Sequence, residues 1–352
     1  MRYRPLGRTG IVVSEFCLGA MMLGEWGNTD ESECHRMVHR ALDAGINFID
    51  TADEYSFGGS EEIVGRALKG RRDDVVLATK FNHQMRPGLN TMGNSRRWII
   101  TAVEDSLRRL GTDYIDLYQA HRPDPDTDID ETLGALSDLI HQGKVRAIGT
   151  SAFPAEQLVE AQWVSERRGR ERFATEQLSY SILARQAEAA VLPTAERYGV
   201  GVLVFSPLNG GWLAGKYRRG EPATPDSRAA RHPAYFDHGD EAIAERKFDV
   251  VEQLEALAGE AGLSLLHLAL GFVVAHRAVT SAIIGPRTYE QLEQQLGAAD
   301  RRLTDDLLDR IDELAPPGRN VNPDDVGWTP PSVRDPLLRR RAGPIVLPMI
   351  RP

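Results

Sequence analysis

Cysteine is almost absent from this chain. Cys17 and Cys34 are the only two in 352 residues, too few for a disulfide scaffold. No apolar run approaches the ~18 residues of a membrane-spanning helix. The opening MRYRPLGRTG lacks the apolar stretch of a signal peptide. Together these gaps set the expectation of a chain in a reducing cytoplasm. Excess positive charge is missing too. Lys and Arg number 42 against 51 Asp and Glu, a net charge of −9, and no long basic run sits beside interleaved aromatics. Nucleic acid and acidic membrane surfaces are therefore poor partners, and a small molecule is the expected one. Finally, GxGxxG is absent. The nearest approach, Gly199-Val200-Gly201, enters a strand pattern rather than a helix, which disfavours an open dinucleotide-binding sheet.

The apolar content of 41% supports one large core, and the length fits a single βα barrel of about 250 residues with insertions. Short apolar strands alternate with amphipathic helices, the pattern of a parallel sheet with crossover helices. Strands are predicted over 15–19, 47–50, 75–80, 114–120, 145–150, 173–177, 201–206 and 281–285. Eight such units predict an α/β fold of the (β/α)8 TIM-barrel class, occupying residues 1–315. Between the first two strands, Cys34, Met37, Val38, Ala41 and Leu42 recur at helical spacing. Asp30 with Glu33 reads as a capping box, and Gly45 as the helix stop. Ile99, Val103, Leu107 and Leu110 before Gly111 make a similar stripe, as do Leu133, Leu136 and Ile140 before Gly143. Two segments stand outside the repeat. Residues 209–240 are a Gly/Pro-punctuated loop long enough for a lid. Residues 316–352 hold nine of the twenty prolines; they are expected to continue neither helix nor sheet, and to wrap over the barrel or reach a neighbouring subunit.

Asp50 in FIDTADEY, Lys80 in VVLATKF and His121 in YIDLYQAHRPD close predicted strands, and Tyr55 follows in the loop after the second. Parallel barrel strands deliver their last residues to one rim, so these four converge although far apart in sequence. The set suits carbonyl reduction. A carbonyl that accepts hydride gains charge on oxygen and needs a positioned proton donor. Tyr55 is the expected acid, Lys80 the cation that makes its hydroxyl more acidic, Asp50 the group that holds Lys80, and His121 a hydrogen-bonding partner for the carbonyl.

The motifs RPLGRTGIVVSEFCLGAM, FIDTADEYSFGGSEEIVGRAL, ATKF, SLRRLGTDYIDLYQAHRPD, GKVRAIGTSAF, FSPLNGGWLAGKY and IIGPRTYEQLEQQL occur in this order. In them the chain resembles the aldo-keto reductases, and within that family the branch of voltage-gated potassium channel β-subunits and their bacterial relatives. The resemblance implies an N-terminal hairpin near residues 3–13, the same four catalytic roles, and an NADPH cofactor extended along the C-terminal rim. It places Ser151 and Gln177 at the nicotinamide carboxamide and Phe205 against the nicotinamide ring. Ser206, Pro207, Leu208, Gly210 and Lys216 fall in the pyrophosphate loop, Arg287 and Thr288 at the 2′-phosphate, and Gln291 and Gln295 at the adenine. Met21, Asp50 and Gly285 complete the implied cofactor set. Ala152 departs from the pattern, because many members carry Asn after the serine. Trp26, Tyr180 and Trp212 are expected, with Tyr55 and His121, at the substrate mouth. The implied activity is NADPH-dependent reduction of an aldehyde, ketone or keto-sugar. A cofactor-sensing regulatory subunit and a nucleotide-sugar ketoreductase are the alternatives.

No metal is expected: His232, His238 and Asp240 share a loop without ligand spacing. Arg339, Arg340 and Arg341 read as solvated or intersubunit charges. Trp328, Val346, Leu347 and Ile350 are the tail's candidates for burial, possible contacts between subunits included.

Overall fold

The computed structural model describes residues 1–225, 227–231 and 241–339. An antiparallel hairpin, β1 (Tyr3–Pro5) with β2 (Val12–Ser14), precedes the sheet. Eight parallel strands then close on themselves: β3 (Phe16–Gly19), β4 (Phe48–Asp50), β5 (Val76–Phe81), β6 (Ile115–Ala120), β7 (Val145–Ser151), β8 (Phe173–Ser179), β9 (Gly201–Phe205) and β10 (Val279–Ile284). Closure is explicit in the register, since β10 pairs with both β9 and β3. The expected (β/α)8 barrel and its N-terminal hairpin are therefore present, with strand ends shifted by at most two residues from the sequence reading.

The helices form where the apolar stripes lie. In α1 (Glu31–Asp43) the buried residues are Cys34, Met37, Val38, Ala41 and Leu42, and the Asp30 side chain accepts from the Glu33 N–H. The capping box is only half made. Glu33 turns away and its carboxylate accepts from the Tyr289 N–H at 3.0 Å, tying α1 to a later helix instead of closing its own first turn. Next come α2 (Gly59–Ala67), α3 (Arg96–Leu110), α4 (Ile129–His141), α5 (Ala155–Arg168) and α6 (Val191–Tyr198). In α3 the buried stripe includes Ile99, Val103, Leu107 and Leu110, and Gly111 caps it at φ 63°, a left-handed conformation that costs glycine nothing.

After β9 the expected lid begins as a tight turn over Asn209–Ala214, followed by α7 (Arg228–Arg231). Arg231 donates to the Gly27 carbonyl at 3.2 Å, so this segment reaches across to the loop that follows β3. Its remainder, including His232, His238 and Asp240, lies outside the described residues. The chain resumes with α8 (Glu241–Glu260) and α9 (Leu265–Ala275), then α10 (Tyr289–Leu296) and α11 (Asp305–Leu314) after β10. No single helix among the described residues is long and apolar enough to cross a membrane.

The tail corrects one expectation. Two short helices, α12 (Pro331–Arg334) and α13 (Pro336–Arg339), do form, each opened by a proline whose missing N–H has no partner to lose in a first turn. Upstream, the Val321 N–H donates to the Leu183 carbonyl and Asn320 bridges to Ala184. Trp328 is half-buried, and Arg339 donates to the Val333 carbonyl. Arg340, Arg341, Val346, Leu347 and Ile350 lie outside the described residues.

Candidate active site

Inward-facing side chains at the ends of β4, β5, β6 and β8 meet in the barrel. The Lys80 ammonium is fully buried and spends its three N–H donors within the site: on Asp50 Oδ2 at 2.6 Å, the Thr51 carbonyl at 2.8 Å and the Tyr55 hydroxyl at 3.2 Å. Asp50 Oδ1 accepts from the Gln177 amide at 2.8 Å and the Gln119 amide at 3.2 Å. His121 follows β6, its ring edge-on to Tyr55 with centroids 5.8 Å apart. The structure thus brings Asp50, Tyr55, Lys80 and His121 together.

Burial, rather than Lys80, governs the Tyr55 hydroxyl. Desolvation raises its pKa, the Lys80 ammonium pulls it down, and Asp50 and Glu54 push it up again; the net shift is upward. Lys80 does acidify the hydroxyl as expected, but a dry site with two carboxylates nearby disfavours tyrosinate more than one cation favours it. The phenol is fully protonated near neutral pH. Burial also pulls the Lys80 ammonium down, but Asp50 and Tyr55 more than offset it and leave it above its ordinary value. Desolvation, Arg122, Lys80 and His83 together hold His121 well below the usual histidine range, so its ring is neutral.

The rim is strained where it faces the site. Asn82, Ala152 and Ser206, immediately after β5, β7 and β9, have φ of 135°, 60° and 54°. Non-glycine residues in these conformations persist where the surroundings over-determine them. Gly327 of the tail packs closely here: a Cβ on it would lie 2.8 Å from the Ala152 Cβ and 3.1 Å from Phe205 Cζ. The same stretch is pinned by a polar cluster, in which Lys247 contacts Asp325 at 2.8 Å and donates to Asn209 at 2.9 Å, while Asn209 donates to Asp325 at 3.0 Å.

Two of the implied cofactor residues carry unsatisfied atoms. Ser151 Oγ, at the end of β7, and Gln295 Oε1, in α10, are both buried without a hydrogen-bond partner among the described residues. Such atoms are costly unless something else bonds them, and the two fall in the segments implied for the nicotinamide and adenine ends. The residues present fit the group. Thr288 caps α10 by accepting from the Gln291 N–H, and the Gln291 side chain accepts from the Arg287 N–H at 2.9 Å; Arg287, Thr288 and Gln291 therefore share the helix start, with Gly285 just after β10. Gly210 (φ 67°) sits in the tight turn after β9, its carbonyl accepting from the Tyr217 hydroxyl at 3.0 Å, with Ser206, Pro207 and Leu208 just before it and Lys216 after. Met21 is half-buried in the loop after β3.

Two expected mouth residues are elsewhere. Tyr180 is 1% exposed, stacked on Phe272 at 5.6 Å with its hydroxyl on Glu188 at 2.6 Å; its position just after β8 turns it into the helical layer. Trp212 is 3% exposed, packed between Tyr217 and Phe248. Trp26 does stand beside Tyr55, ring centroids 6.0 Å apart.

Four participants escaped sequence reasoning. Gln119 lies two residues before His121, and strand alternation alone would have put it on the same face. Glu54 adjoins Tyr55 within a motif already singled out. His83 had no signal, because loop geometry brings it to His121, centroids 4.8 Å apart. Glu176 is buried outside the strand ring, accepting from Thr150 Oγ1 and from the Phe153 N–H at 3.1 Å.

A parallel barrel whose rim holds a buried lysine–carboxylate pair against a protonated phenol is the architecture of a barrel oxidoreductase. The sequence model of the Aldo/keto reductase family matches residues 15–316. The chain is similar to an uncharacterized oxidoreductase, YrpG, of Bacillus subtilis (38% identity, 93% of this chain and 100% of the relative). It is also similar to the aldo-keto reductase YhdN of the same organism (37%, 83% and 87%), and to a probable voltage-gated potassium channel subunit beta of Oryza sativa subsp. japonica (35%, 89% and 96%). The chain belongs to the aldo/keto reductase family.

Proposed function

We propose that this protein is an NADPH-dependent reductase of an aldehyde, ketone or keto-sugar carbonyl, with Tyr55 as the general acid. One observation carries the reading. The Tyr55 oxygen accepts a hydrogen bond from Lys80, whose other two donors are taken by Asp50 and Thr51, so the phenol's own proton is left for a substrate oxygen. When bound, the cofactor supplies the hydride. Tyr55 gives its proton to the carbonyl oxygen, and Lys80, 3.2 Å from the phenol oxygen, stabilises the tyrosinate left behind. Asp50, held by Gln119 and Gln177, keeps Lys80 charged and in place. Neutral His121 orients the carbonyl by hydrogen bonding. Ser151 and Gln177 would hold the nicotinamide amide, Phe205 its ring, residues 206–216 the pyrophosphate, Gln291 and Gln295 the adenine, and Arg287 with Thr288 the 2′-phosphate, where a helix N-terminus and a guanidinium suit an anion.

The 2′-phosphate contact is tested by Arg287→Ala. It should weaken NADPH binding by roughly 1.5–3 kcal/mol, the scale of a charge-assisted hydrogen bond, and leave NADH nearly unchanged in a fluorescence titration. Equal losses for both would make Arg287 a structural residue.

A second reading, a cofactor-sensing regulatory subunit, draws on the similarity to relatives named as channel β-subunits. Steady turnover of a generic aldehyde without a stable partner in a pulldown separates it from the first.

A further inference from the structure

We propose that Glu54, His83 and His121 form a binding site for a transition divalent cation of the zinc class at the barrel rim. The three come from the loops after β4, β5 and β6, which are adjacent strands, so the barrel itself fixes their spacing. His83 Nδ1 lies 3.1 Å from Glu54 Oε2 and His121 Nδ1 lies 3.4 Å from Glu54 Oε1. One ligand atom from each residue falls within 4.8 Å of the others. Tetrahedral bonds of 2.0–2.2 Å require ligand atoms about 3.4 Å apart, so small side-chain adjustments complete the set.

His121 is 4% exposed, and its Nδ1, though 3.4 Å from Glu54 Oε1, makes no hydrogen bond among the described residues. A shared ion would bond that nitrogen directly. Two imidazoles and one carboxylate suit zinc-class ions rather than calcium or magnesium, which prefer oxygen alone, and leave a fourth position for water. Arg122 and Lys80 face the cluster and oppose a cation. Lys80 is balanced by Asp50 at 2.6 Å, and Arg122 donates to the His121 carbonyl at 2.7 Å. No spacing motif could reveal it, because its members lie on three separate loops.

His121 is shared with the reductase reading, so the test reads metal binding and not turnover. Zinc titration of the untagged full chain by calorimetry should give one ion per chain. Cobalt loading should give the intense visible absorption of a four-coordinate ion. His83→Gln and Glu54→Gln should each weaken zinc binding by at least ~10-fold, since even an outer-shell change costs that much. His141→Gln, at an exposed histidine paired with Glu171, should change nothing. Circular dichroism checks each fold, and if one ligand variant unfolds the other decides. Absence of binding, binding indifferent to both ligand variants, or equal weakening by His141→Gln would each overturn the site.

Discussion

Lys80, with no exposed surface, shows how tightly the site is specified at the scale of single residues. All its donors are used, so Lys80→Met leaves Asp50 buried without its cation and Tyr55 without its stabiliser. Turnover should drop by at least the ~10²-fold typical of losing acid–base function, while Asp50→Asn, which keeps two amide partners, should cost less; steady-state rates on one aldehyde check the order. Neutral His121 makes a second prediction. Its pKa lies well below the usual range and that of Tyr55 above its own, so kcat/KM should stay flat between pH ~6.5 and ~9, where ordinary histidines titrate at the lower edge. A break near pH 6.5 would show a charged His121. Glu176 gives a third. Burial raises its carboxyl to about 8, so folding favours the protonated acid. The stability this contributes is complete below the unfolded value of about 4.3 and is lost as pH rises through about 8. The native chain should therefore lose melting temperature between pH ~4.3 and ~8, and Glu176→Gln should flatten that fall; an unchanged slope would remove Glu176 as its cause.

At the scale of elements, the tail is held by the contact of Lys247 with Asp325 and by the backbone of Gly327 against Ala152 and Phe205. Asp325→Ala leaves a mostly buried ammonium with the Asn209 oxygen and the Trp212 ring but no counter-charge. It should cost about 1–3 kcal/mol in thermal unfolding, and speed cofactor release if the tail covers the Phe205 face. The sequence reading located the elements well because their signals are local: α1 and α3 bury the stripes that spacing predicts. It failed where one element finishes another. Glu33 bonds Tyr289 instead of its own helix start, and Tyr180, one residue past β8, faces outward, as alternation from inward Gln177 requires. The tail helices were missed because proline content was weighed without proline's position.

For the whole molecule, eight short strands at regular spacing made the closed barrel legible, and closure explains why Asp50, Lys80 and His121 could be brought together on paper. The acidity of Tyr55 could not be foreseen in the same way. It depends on the depth of burial and on the carboxylates of Asp50 and Glu54, quantities that exist only once the rim is assembled. The polar members Gln119, Glu54 and His83 belong to the same assembled level.

The central claim is that this rim reduces carbonyls with NADPH through the Tyr55 proton. Its most direct test follows nicotinamide absorbance across a panel of aldehydes and ketones for the native chain and Tyr55→Phe, with NADPH affinity measured alongside. Phe keeps the ring packing and removes only the hydroxyl, so turnover should fall at least ~10²-fold while NADPH binds as before. Native-like turnover by Tyr55→Phe, or no turnover by the native chain on any carbonyl despite bound NADPH, would contradict the account.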